Sequence, residues 1–279
     1  MSDDAPLLDD AGGNRDATAP REKTVELLRS FCQEWLDRAD PAVPTRIMRE
    51  DYEVHIGGVV LSGLSQYVPA TLGQLEDFSG LQISVHELVS NGSEMALRFT
   101  EHGASLKAGG RPAAWRGIAL FWSDGVQLLR NVTEEDYTAR RRQLIEGSAD
   151  TVDAPAVAPW STRVLAQRPE AEQQVRDWLV AGGLGDGSAD LIIDDGSASS
   201  PLLGVDSTTV LDLFSCGDAV GFRAVERGLY LGGLGLPDSA EGAVVSLTSV
   251  GLVRVAEGER IRGHLVRDRA GLRRALSRV

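Results

Sequence analysis

From residue 22 to residue 38 the chain reads EKTVELLRSFCQEWLDR, and Val25, Leu28, Phe31, Cys32, Trp35 and Leu36 recur at three- and four-residue intervals. That period puts them on one stripe of an amphipathic helix. A short helix over 44–48, a strand over 51–56 and a helix over LSQYVPATLGQLEDF, 64–78, are predicted next, with Pro69 starting or kinking the second turn of the last. After Ser79-Gly80 the period drops to two. LQISVHELV, MALRFTEHG, AAWRGIALFW and VQLLRNVTEE alternate apolar with polar positions, and breaks at Asn91-Gly92, Gly109-Gly110 and Asp124-Gly125 separate them. This predicts consecutive hairpins of one antiparallel sheet. A helix over 137–145 closes the segment.

The pattern then returns. LVSNGSEMALRFTEHG at 88–103 aligns without a gap to LFSCGDAVGFRAVERG at 213–228, matching Leu88, Ser90, Gly92, Arg98, Glu101 and Gly103 to Leu213, Ser215, Gly217, Arg223, Glu226 and Gly228. Such self-similarity marks an internal repeat. Residues 147–169 are small, polar and proline-bearing, as a linker is. After it come the amphipathic EAEQQVRDWLVAGG, the strands TTVLDLFS, AVGFRAVERG, GAVVSLTSVGLVRVA and RIRGHLVR, and the helical AGLRRALSRV. Asp136 and Asp268 hold matching places before the closing helices. The stretch 183–207 is too rich in glycine and polar residues for the two helices that the first copy carries there, so a full pocket is expected only in the first copy. The expected layout is a disordered acidic tail over 1–21, a first unit over 22–146, a linker over 147–169 and a shortened unit over 170–279.

Four motifs in this order and spacing carry a resemblance: EWLDRAD (34–40), MREDYEVH (48–55), the FTEHG strand end, and GRPAAWRGIALFW (110–122) with the Asp-Gly turn that follows. They resemble the nuclear transport factor 2 superfamily, and within it the SnoaL-like polyketide cyclases. The resemblance implies an α+β class, with two cone-shaped domains, each a bent antiparallel sheet packed on helices. It also implies a small hydrophobic or aromatic ligand, because the superfamily holds cyclases, isomerases, dehydratases, epoxide hydrolases and non-catalytic binders. Single relatives pair through the open sheet face, so two copies in one chain imply an intramolecular pseudo-dimer and a monomer in solution. Fold alone does not choose among these activities.

Proton transfer beside a carbonyl needs a carboxylate base and donors for the enolate oxygen in a dry cavity. Matching the family patterns puts Ile56, Cys32 and Ala119 where isomerase-like members hold such groups. Ala119 also stands in GIALF where the cyclase pattern often has Asp. These apolar residues favour a carrier, sequestering or accessory protein for a polycyclic, polyketide-type molecule of antibiotic biosynthesis. The alternative is a SnoaL-like cyclase, dehydratase or isomerase. For that alternative the acid/base candidates are His102, whose counterpart is Arg227, His55, which matches a histidine common in the family, and Glu134, whose counterpart is Val266. Trp35, Tyr52, Tyr67, Phe99, Glu101, Trp115, Ala119 and Phe121 are the expected ligand-binding residues. Glu101 shares a strand face with Leu97 and Phe99, but Glu226 repeats it, which also fits a structural role.

Charge and composition narrow the partners. The net charge of −13 repels phosphate backbones and anionic membranes, so neither nucleic acid nor membrane is expected. No run approaches the ~18 apolar residues of a spanning helix, and the acidic N-terminus is unlike a secretory signal. Only Cys32 and Cys216 are present, one in each half, which suits the reducing cytoplasm. No CxxC or HExxH spacing occurs, so neither a metal nor a cofactor is expected.

Overall fold

The computed structural model describes residues 19–196, 201–256 and 260–278. Most of the acidic segment expected over 1–21 lies outside the described residues, and helix α1 (Ala19–Ser30) already begins at Ala19. It runs into a π-helical turn, Phe31–Leu36, that buries Phe31, Cys32, Trp35 and Leu36. Then follow α2 (Val43–Ile47), β1 (Met48–Ile56), β2 (Val59–Ser62), α3 (Leu64–Asp77), β3 (Gln82–Ser90), β4 (Glu94–Ser105), β5 (Arg111–Ser123), β6 (Leu128–Glu135) and α4 (Tyr137–Glu146). The six strands form one sheet in the order β2-β1-β6-β5-β4-β3. Its hairpins pair antiparallel as the alternation predicts, but β1 pairs parallel to β6, so the sheet is mixed. Strand β2 was not foreseen. It exists because Gly57 and Gly58, at φ of 55° and 75°, turn β1 back on itself.

The second half repeats this plan with fewer parts: α5 (Pro169–Val180), β7 (Asp190–Ile193), β8 (Leu203–Cys216), β9 (Ala219–Tyr230), β10 (Val244–Arg254), β11 (Arg262–Arg267) and α6 (Arg269–Leu276). Its order is β7-β11-β10-β9-β8, and β7 pairs parallel to β11 as β1 does to β6. Among the described residues only β7 occupies the stretch where the first half has α2, β2 and α3. The repeat is exact in backbone detail at the closing helices. Asp136 caps α4 through the Ala139 N–H at 3.0 Å, and Asp268 caps α6 through the Gly271 N–H at 2.6 Å. Each of these aspartates also donates its own N–H, to Arg116 and Thr248 respectively, at 2.9 Å.

Alternation gives each sheet two apolar faces. One face of the first sheet holds Met95, Leu97, Phe99 and Phe121 against Phe31, Trp35 and Tyr67 of the helices. Its opposite face puts Ala96, Ile118, Leu120 and Val132 against Phe214, Val250, Leu252 and Val266 of the second sheet. The sheets approach closely because residue 221 is glycine: a Cβ there would stand 2.8 Å from Leu120 Cδ2. The stretch 147–169 lies along the edge of β3, where the Ala156 and Leu165 N–H groups donate to Val85 and Ser90 at 2.8 and 2.9 Å. That covers an edge strand that would otherwise be open to pairing.

Candidate functional site

Between the helices and the first sheet lies a cavity of about 140 Å³. Phe31, Leu36, Val54, Ile56, Leu97 and Phe121 give it apolar walls, and Gln74, Glu101, Asn131, Thr133, Glu135 and Tyr137 add polar groups to its lining. Strand parity explains the gathering. Glu101 follows Leu97 and Phe99 on the inner face of β4, and it sits opposite Trp115 of β5. Asn131, Thr133 and Glu135 alternate onto the same side of β6, with Glu135 opposite Gly117. Tyr137 is the first residue of α4, set by the Asp136 cap.

Glu101 and Glu135 are both buried. Gln74 Nε2 donates to Glu101 at 2.9 Å, and Trp115 Nε1 donates to Glu135 at 2.7 Å. The Tyr137 hydroxyl also donates to Glu135. Burial pushes the Glu101 carboxyl well above the usual carboxylate range, and the neighbouring charge of Glu135 adds to this. Burial raises Glu135 too, but Trp115, Arg140 and Tyr137 all pull it back. Two coupled carboxyls titrate as a pair, and Glu135, with two donors and a cation in its favour, is the less raised of the two. Burial and both carboxyls push the Tyr137 phenol well above its ordinary value, so it stays a donor. Arg140 lies over the Trp115 and Tyr137 rings, 5.0 and 4.5 Å from their centroids, on the side from which it favours the Glu135 charge.

Of the residues that the sequence proposes for ligand binding, Tyr67, Phe99, Glu101, Ala119 and Phe121 line this cavity. Trp35 and Tyr52 stand behind Tyr67: the Trp35 N–H donates to its hydroxyl at 3.0 Å, and the Tyr52 ring meets it edge-on at 5.4 Å. Trp115 acts through its N–H on Glu135. The three acid/base candidates are elsewhere. His102 alternates onto the opposite face of β4, with Nε2 3.0 Å from Ser84 Oγ. His55 is held between Glu53 and Arg223 of the second half. Glu134 turns away from Glu135 toward Gly57 and α6. Sequence reasoning missed Gln74, Glu135 and Tyr137. The signal for Glu135 was present, since its counterpart in the second half is Arg267. There the acidic pair becomes Glu226 beside Arg267, whose guanidinium pulls the Glu226 carboxyl back against burial.

With this geometry in view, solved structures offer comparisons. The chain is similar to a candidate SnoaL-like polyketide cyclase from Jannaschia sp. CCS1, at 17% identity over 48% of this chain and 97% of that one, with a TM-score of 0.42. A candidate polyketide cyclase from Acidithiobacillus ferrooxidans gives 16%, 45%, 96% and 0.41 in the same order. TsrD from Streptomyces laurentii gives 21%, 44%, 96% and 0.40. Each of these matches spans about half of this chain and nearly all of the other. No family model matches the sequence, and no curated protein does.

Proposed function

We propose that the NTF2-like cavity of the first half binds a small hydrophobic ketone or enol and moves a proton on it. Glu135 takes the proton from the carbon beside the carbonyl. The Glu101 O–H hydrogen-bonds the oxygen as negative charge develops on it while the Tyr137 O–H stays on Glu135, and the proton returns to carbon in the product. An isomerisation, a cyclisation or a dehydration can each begin with this step. The observation that carries the reading is the pair of buried carboxyls with unequal hydrogen bonding in the lining of an apolar cavity. Burying two carboxyls costs stability. A carrier of an apolar molecule gains nothing from that cost, whereas an acid and a base side by side both need it.

The volume bears on the ligand. About 140 Å³ is close to the ~150 Å³ cavity that accommodates benzene in an apolar core. A single ring, or one ring-sized end of a polyketide-type molecule, therefore suits the site better than a polycyclic one. To test the reading, single-ring cyclic ketones and 1,3-diketones are incubated with the protein in D₂O, with fluorescence following binding and mass spectrometry following α-deuteration. Deuterium uptake above the buffer rate is expected. Binding without uptake across the panel would leave the carrier reading standing and end this one.

The pH dependence has a definite sign. The base must be ionised, so exchange falls as pH drops through the raised Glu135 value. The acid must be protonated, so exchange also falls as pH rises through the higher value of Glu101. A bell-shaped profile lying above the ordinary carboxylate value of ~4.3 is expected. A profile flat through that region would contradict the assignment.

We further propose that the two halves form an intramolecular pseudo-dimer, supported by the sheet faces they bury against each other. Sedimentation should then give the monomer mass; an obligate dimer would count against it. Two buried free cysteines accord with a reducing cytoplasm, and no described helix is long and apolar enough to cross a membrane.

A further inference from the structure

Two of the residues singled out as acid/base candidates, His55 and Glu134, meet in a different pocket. It lies at the junction of the two halves and has a volume of about 200 Å³. The first half supplies His55, Val59, Val60 and Glu134, and the second supplies Leu211 and Arg223. Two features of it have no structural use. Glu134 is only 2% exposed, yet its Oε1 has no hydrogen-bond partner. Three branched apolar side chains, Val59, Val60 and Leu211, stand about half exposed around it at 51%, 49% and 48%.

The charges indicate what would satisfy the pocket. Burial, with Asp268 and Glu135 nearby, raises the Glu134 carboxyl well above its ordinary value, against the Gly57 N–H and Arg274. The unpartnered Oε1 of this buried carboxyl is free to serve a ligand as an O–H donor. Arg223 gives one N–H to His55 at 3.1 Å, and its Nε stands 2.7 Å from Asp212 but out of line, without a hydrogen bond. Asp212 also serves Arg130, so Arg223 does not have that carboxylate to itself. An acceptor with negative charge meets both needs, while an ammonium group would have to share the pocket with a guanidinium.

We propose that this junction pocket binds a small carboxylic acid with an apolar body, its carboxylate accepting from the Glu134 O–H and from Arg223 while Val59, Val60 and Leu211 close on the rest. The site adjoins the cone cavity, with Ile56 and Thr133 as shared walls, and its ligand bridges the two halves. Replacing an unmade pair of hydrogen bonds by charge-assisted ones is the gain that drives binding.

Benzoate titrated into the full chain, followed by backbone amide shifts, tests this. Shifts at Gly57, Gly58 and Leu211 are expected. Glu134→Gln keeps an N–H donor in the same place and should bind within about threefold of the parent. Glu134→Leu, which puts an apolar residue where the second half has Val266, should lose about tenfold or more. Leu211→Trp, which fills the pocket from the second half, should lose binding without touching Glu134. Absence of benzoate binding, shifts confined to Leu97 and Phe121 in the cone, equal losses in the Gln and Leu variants, or preference for benzylamine over benzoate would each overturn the proposal.

Discussion

Glu135→Gln is expected to slow α-deuteration by about a hundredfold or more while the ligand still binds, because it removes the base and leaves the shape of the cavity. The glutamine carbonyl can still accept from Trp115 Nε1, which now donates to Glu135 at 2.7 Å, so the wall should not collapse. The same substitution should raise the unfolding temperature, since it takes a charge out of a buried site. Loss of activity with a gain in stability is the mark of a residue retained for chemistry rather than for folding. Glu101→Gln makes a useful contrast. Its amide keeps a donor toward the substrate oxygen, so a smaller loss is expected, together with disappearance of the alkaline limb of the pH profile. If Glu135→Gln both unfolds the protein and leaves residual deuteration unchanged per folded molecule, the carboxylate is structural. Deuterium uptake per folded molecule, measured beside a thermal melt, separates the two cases.

That Glu135 rather than Glu134 faces the cavity follows from one fact that the sequence does not display. Along β6, Val132 is apolar while Asn131 and Thr133 are polar, and an isolated domain would turn Val132 toward its core. Here Val132 packs against the second sheet, and the polar positions face the helices. The alternation was legible, but which of its two phases pointed inward depended on a partner surface far along the chain. His102 was misplaced for a related reason. Its lack of a counterpart was a sound signal of difference between the copies, but its parity with Ala96, on the face turned to the second sheet, took it away from the cavity. Local period and glycine punctuation were enough for the hairpins β3 to β6 and β8 to β11, whose pairings are short in sequence. The parallel contacts of β1 with β6 and β7 with β11 join distant segments, and no local pattern announces them. The repeat itself was the most informative feature. Applied to Glu135 and Arg267, the same comparison that favoured His102 would have pointed to the acidic pair.

Arg269→Met should be the most damaging substitution outside the cavity, lowering stability by about 3–5 kcal/mol, the usual cost of leaving a buried charge without its partner. Arg269 is the first residue of α6, only 8% exposed, and its guanidinium reaches Asp136 of the first half and Asp194 at the end of β7, the latter at 3.2 Å. Asp194 keeps Arg267 at 2.7 Å, but Asp136, 1% exposed, has no other ion pair among those described. Methionine fills much of the volume, so the loss should report charge rather than a cavity. The double-mutant cycle with Asp136→Asn isolates the contact: if the pair joins the halves energetically, the second substitution should recover part of the loss. Denaturant unfolding of the four proteins measures this, and a change below about 1 kcal/mol for Arg269→Met would place the ion pair among those that contribute little. The consequence should extend to the site. Asp136 caps α4 one residue before Tyr137, so loosening it frees a donor that pulls the Glu135 carboxyl back down against burial. The variant should therefore show an acidic limb of the exchange profile moved toward higher pH, an effect that simple destabilisation of the second half would not produce.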